Sequence, residues 1–183
     1  MTKKELARLV NEKLDIMYLD AKCGLDYNNI FELIVAVTLS AQTTDVSVNK
    51  VTPVLFSKYK DAYSLANADV LDVEDIIRSI GLYKNKAKNI INLSKELISK
   101  FNGVVPNSLD ELMSLSGVGY KTASVVLVEG FKIPAFPVDT HISRISKRVG
   151  LVKESLDPTE ISYSLMKLYD KSLYHKLHHQ MIY

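Results

Sequence analysis

Residues 115–123, Leu-Ser-Gly-Val-Gly-Tyr-Lys-Thr-Ala, hold residue types at a spacing suited to chemistry. Gly117 and Gly119 interrupt an apolar helical pattern that resumes at Tyr120, which predicts a tight turn between two helices. Such a turn presents backbone N–H groups at the start of the second helix and suits an anion such as a DNA phosphate. An ordinary helix–helix connection has the same pattern. Lys121 falls in the first turn of that second helix, where the helix dipole and partial burial both disfavour an ammonium. A free lysine is neutral in only about one molecule in 2,500 at pH 7, and a nucleophilic lysine needs this kind of depression. A surface lysine touching phosphate is the alternative. Asp139, within Pro137-Val138-Asp139-Thr140-His141, is a good helix N-cap. A carboxylate meeting Lys121 would instead manage protons at a reacting sugar.

The elements that position these residues read as consecutive helices. Glycine and proline together make only 12 of 183 residues (7 + 5), too few for a turn-rich β fold, and 47% apolar residues can bury a sizeable core. Apolar spacing predicts helices over 2–20, 29–41 (apolar all round, hence central), 84–101, 120–129 and about 173–182. Thr44-Asp45, Asp69, Ser108, Asp139 and Asp157-Pro158 read as further helix starts, and Pro53 as the end or kink of the helix begun at Thr44. Pro134-Ala135-Phe136-Pro137 cannot be a helix interior and is the expected crossing between two parts of an all-α fold.

Composition excludes several classes. A single cysteine, Cys23, allows no internal disulfide and no cysteine-rich zinc or iron–sulfur site, in keeping with a reducing cytoplasm. No signal peptide, lipidation signal or membrane-length apolar run is evident. The net charge of +2 is no nucleic-acid signature by itself. The clusters Lys84-Asn85-Lys86-Ala87-Lys88 and Arg144, Lys147, Arg148 read as solvated helix faces or phosphate contacts. His175, His178 and His179 have helical spacing, but the sequence shows no third metal ligand, so they read as a solvated or packing group.

Four segments together resemble the helix-hairpin-helix (HhH-GPD) DNA glycosylase superfamily and, within it, the endonuclease III family. They are Leu39-Ser40-Ala41-Gln42-Thr43-Thr44-Asp45, Ile80-Gly81-Leu82-Tyr83, Leu115 to Ala123, and Val138-Asp139-Thr140-His141. The resemblance covers nearly the whole chain. It implies two all-helical parts with the active site in the cleft between them: a six-helix part over 22–133, and a second part from 1–21 and 134–183. It also implies a monomeric glycosylase with abasic-site lyase activity on oxidised pyrimidines in duplex DNA. Lys121 matches the Schiff-base lysine and Asp139 the essential aspartate. Gln42 and Leu82 match residues that fill the gap left by a flipped base. Gly117, Val118, Gly119, Tyr120, Thr140 and His141 match DNA contacts. Adenine-removing relatives generally lack such a lysine and carry an extra acid near the helix ending in Val37-Thr38-Leu39, where this chain has none.

The sequence departs from the family at three places. Ser116 stands where proline is usual, which should free the turn slightly, and Tyr120 where a basic residue is frequent. Most members also continue into a loop whose four cysteines hold a [4Fe–4S] cluster. This chain ends before that loop, so no cofactor is expected to be bound by it, and an impaired DNA-binding remnant is the competing expectation.

Overall fold

The computed structural model describes residues 1–183 and is helical throughout, with no strand. In chain order the helices are α1 Lys3–Met17, α2 Ile30–Leu39, α3 Asp45–Lys58, α4 Ala62–Ala66, α5 Val70–Ile76, α6 Tyr83–Phe101, α7 Leu109–Met113, α8 Tyr120–Val125, α9 Thr140–Arg148, α10 Pro158–Leu168 and α11 Tyr174–Gln180. A π-helical turn, Val126–Gly130, prolongs α8, and a 3₁₀ turn, Lys171–Leu173, precedes α11. No helix is long and apolar enough to cross a membrane. The chain forms two compact units, Gly24–Val126 and Met1–Cys23 with Leu127–Tyr183. The division falls between Val126 and Leu127, ahead of the Pro134–Pro137 segment.

In the unit Gly24–Val126, α2 is the buried centre. Leu33, Ile34, Val35, Ala36 and Leu39 are all sealed from solvent, as a segment without a polar face requires. It packs on α3, α6 and α8. Of the two outcomes expected at Pro53, an end or a kink, the first does not occur: α3 continues past it to Lys58. Pro53 is exposed, so the carbonyl that its ring leaves without a donor can be hydrated. The sequence pattern also missed α4. It is only five residues long and is set by a capping box between Asp61 and Ser64, not by periodicity.

In the other unit, Thr2 and Glu5 form the capping box that starts α1. The apolar face of α1 packs on α10 and α11. Asp15 accepts hydrogen bonds from Lys176 Nζ and Gln180 Nε2, both at 2.9 Å, which tie α1 to α11 and hold the Asp15 carboxyl below its ordinary range. The Pro134–Pro137 segment is non-helical, and its residues Ala135, Phe136 and Pro137 are buried in this unit. Phe136 is fully buried against Tyr169 and Tyr174, with ring centroids at 6.3 and 5.7 Å. Ser162 Oγ donates to the Phe136 carbonyl at 2.6 Å, so the non-helical backbone is not left unsatisfied.

Candidate active site

The turn between α7 and α8 is built from one constrained glycine and one open one. Gly117 has φ +78°, a left-handed conformation, and a Cβ there would meet Asn89 of α6 at 3.1 Å. Gly119 is extended backbone at the N-cap of α8, and a Cβ there would meet nothing within 4 Å. Gly117→Ala should therefore destabilise the fold by about 1–3 kcal/mol, seen as a lower Tm. Gly119→Ala should leave Tm nearly unchanged and weaken binding of duplex DNA, measured by fluorescence anisotropy. Equal losses of Tm in both variants would contradict this division of roles.

Ser116 corrects one expectation. Its backbone N–H donates to Glu96 Oε2 at 2.6 Å and its Oγ to Glu96 Oε1 at 3.0 Å, so the turn is tethered to α6. A proline has no N–H to offer. The chain thus exchanges a stiff ring for a carboxylate clamp instead of gaining freedom. Val118 is 6% exposed, so it can reach a partner only through its main chain. Tyr120 is half-buried. Lys121 is half-buried in the first turn of α8, a helix whose N-terminus has no side-chain cap. Its neighbours Thr122 and Ala123 are buried and fix the helix face from which it projects.

Gln42 and Leu82 share an uncommon backbone state. Both have left-handed φ, +54° and +59°, and both are exposed, Leu82 by 59%. Such a conformation costs a non-glycine residue about 1–2 kcal/mol, and residues held in it cluster at functional sites. The two loops are linked through α6. Lys86 is 4% exposed, its Nζ donates to Thr43 Oγ1 at 2.5 Å, and its backbone N–H donates to the Leu82 carbonyl at 3.0 Å. Burial pushes the Lys86 ammonium below its usual pKa. Lys86 therefore does not belong to a solvated face with Lys84 and Lys88, which are exposed. Leu82→Gly should leave Tm unchanged or raise it by up to about 3 °C, because it removes strain and little burial. The same change should slow excision about tenfold if the side chain works on DNA. A marked fall in Tm would show instead that Leu82 is a packing residue.

Asp139 caps α9, with Oδ1 accepting from the Ile142 N–H at 2.8 Å. The capping role anticipated from sequence is thus present, and it fixes the carboxylate's direction. Thr140 and His141 follow it, both exposed. His141 Nδ1 lies 3.1 Å from an Arg144 guanidinium nitrogen. Thr140, Ser143, Arg144, Lys147 and Arg148 of α9 line one shallow concavity together with Glu154, so three cations outnumber a single acid there.

Of the two readings of the C-terminal histidines, packing holds for His178 and His179, while His175 is partly exposed. His178 and His179 are buried, and His178 Nδ1 lies 3.1 Å from the Pro137 carbonyl. His179 Nε2 pairs with Glu129, a buried acid of the π-helical turn that sequence reading did not single out. An acid directly after the apolar run Val125–Val128 was its only sequence signal. A [4Fe–4S] cluster does not fit the residues described, because it takes four thiolates and Cys23 is the single cysteine.

Comparison with known proteins agrees with this fold. The model of the HhH-GPD superfamily of base excision DNA repair proteins matches residues 35–171. The chain belongs to that superfamily. It is 45% identical to endonuclease III of Bacillus subtilis (strain 168), over 94% of this chain and 78% of the relative. It is 46% identical to endonuclease III of Synechocystis, over 91% and 76% of the two chains. Two solved structures, a non-covalent endonuclease III–DNA complex and a trapped endonuclease III–DNA covalent intermediate, superpose with TM-scores of 0.94 and 0.95. Each is 46% identical and is matched over 100% of this chain and 85% of its own. A thermostable thymine-DNA glycosylase, at 18% identity and a TM-score of 0.85, shares the fold. Within the superfamily the chain is a DNA glycosylase of endonuclease III type.

Proposed function

We propose that this chain excises oxidised or ring-damaged pyrimidines from duplex DNA and then cleaves the abasic site, acting as a monomer with Lys121 as nucleophile. The observation that carries the reading is the placement of Lys121 in the first turn of α8, immediately after the glycine turn. The superposition with an endonuclease III relative trapped covalently on DNA supports it, since an amine nucleophile forms such an adduct. In this reading Lys121 Nζ attacks C1′ of the damaged nucleotide and the base departs with a proton. The sugar ring then opens at the C1′–O4′ bond, with O4′ taking up the proton given up by Nζ; the C1′ imine so formed acidifies C2′–H, and loss of that proton expels the 3′ phosphate. Asp139 handles the proton transfers. Gln42 and Leu82 occupy the space of the flipped nucleotide, a role their exposure and left-handed backbone favour. Main-chain groups of Gly117, Val118, Gly119 and Tyr120, together with Thr140 and His141, meet the phosphates. None of these steps calls on a bound cofactor.

Incubation with duplex DNA carrying thymine glycol tests the proposal. The expected product is a strand broken 3′ to the lesion with a β-elimination end. Base release without a break would remove the lyase assignment, and binding without base release would identify a non-catalytic DNA-binding chain.

A further inference from the structure

The unused chemistry of the chain is concentrated at Glu129, His175 and His179. One ligand atom from each lies within 4.8 Å of the others. His175 and His179 are one helical turn apart on α11, and their rings meet edge to face with centroids at 5.0 Å. Both Nε2 atoms converge on the same oxygen, Glu129 Oε1, with His175 at 3.0 Å and His179 in direct hydrogen-bond contact. The Glu129 and His179 side chains are only 3% and 6% exposed, while His175 is 45% exposed and forms the open side of the group. His175 Nε2 itself is shielded from solvent and is satisfied by no well-directed hydrogen bond.

We propose that Glu129, His175 and His179 form a binding site for one divalent transition-metal ion of the zinc type. Two imidazole nitrogens and a carboxylate are a three-ligand set that tetrahedral Zn²⁺ accepts, with water in the fourth position. His175, the least buried of the three ligands, marks the side from which the ion and its water would enter. Bonds of about 2.0–2.1 Å place tetrahedral ligand atoms about 3.3 Å apart, a spacing that small rotations of the Glu129 and His179 side chains provide. Without metal, two ring N–H groups crowd one carboxylate oxygen. When Nε2 of each neutral imidazole binds Zn²⁺ its proton moves to Nδ1, so the ion takes the place of both N–H groups at the carboxylate without changing the charge of either ring. All three ligands belong to one compact unit, and the ion would fasten the π-helical turn Val126–Gly130 to α11.

The test uses the whole chain, without a histidine tag and stripped by chelator. Zn²⁺ binding is measured by calorimetry, and Co²⁺ replaces it for visible spectroscopy. The expected result is one ion per chain, the d–d spectrum of a four-coordinate cobalt site, and a Tm raised on the order of 5 °C when Zn²⁺ is in about hundredfold excess over its Kd. His175→Ala removes a partly exposed side chain, so the variant should melt near the metal-free wild type while its metal affinity falls at least about tenfold. Glu129→Gln gives a second reading, because it keeps the shape and removes the charge. Absence of saturable one-to-one binding, or equal affinity in wild type and His175→Ala, would overturn the proposal.

Discussion

Replacement of Lys121 by glutamine is expected to lower turnover on damaged duplex DNA by at least about 10³-fold, while the melting temperature and duplex affinity stay close to wild type. The size follows from the role. In the proposed reaction the amine forms the bond that replaces the base and becomes the electron sink for β-elimination, so no neighbour substitutes for it. The fold should tolerate the change because Lys121 is only half-buried and projects from a helix whose packing belongs to Thr122, Ala123, Ser124 and Val125. Glutamine retains most of the aliphatic stem and is a good helix former. Single-turnover kinetics, thermal melting and anisotropy on the same preparations separate the effects. A loss of turnover that merely tracks a loss of affinity would place Lys121 among the phosphate contacts.

Asp139→Asn should reduce base release by about 10²-fold or more with little change in Tm. The substitution divides the two roles this residue combines. Asparagine caps a helix as well as aspartate does, so the bond to the Ile142 N–H survives and α9 keeps its start. The amide cannot accept a proton under reaction conditions. Asp139→Ala should give a similar chemical loss and in addition cost about 1 kcal/mol of stability from the missing cap. If asparagine retained full activity and only alanine impaired it, Asp139 would be a structural cap and nothing more.

Most of the architecture was legible because helical periodicity is a local signal. The apolar run of α2 announced a central helix, and Asp157-Pro158 announced the start of α10. Three features were not legible, each for a physical reason. Pro53 reads as an end or a kink, yet α3 continues because the proline faces solvent, and facing is a tertiary property. Ser116 reads as a loosened turn, but its clamp is Glu96, 20 residues away on another helix. The histidines lacked a third ligand in sequence because Glu129 lies 50 residues before His179 and looks like one polar residue in a buried strip. The candidate site showed the same division. Residue type and position relative to helix starts marked Lys121 and Asp139 as candidates, and only the resemblance of four segments to a known family assigned them roles. The strained backbone of Gln42 and Leu82, and the buried Lys86 that joins their loops, emerged only in three dimensions.

Borohydride reduction during reaction with thymine-glycol duplex tests the central claim most directly. The proposed imine would be reduced to a stable secondary amine, giving one protein–DNA adduct per chain that maps by peptide mass spectrometry to Lys121 and is absent from Lys121→Gln. An adduct at another residue, or strand cleavage with no adduct in well-folded protein, would contradict the assignment of Lys121 as the nucleophile.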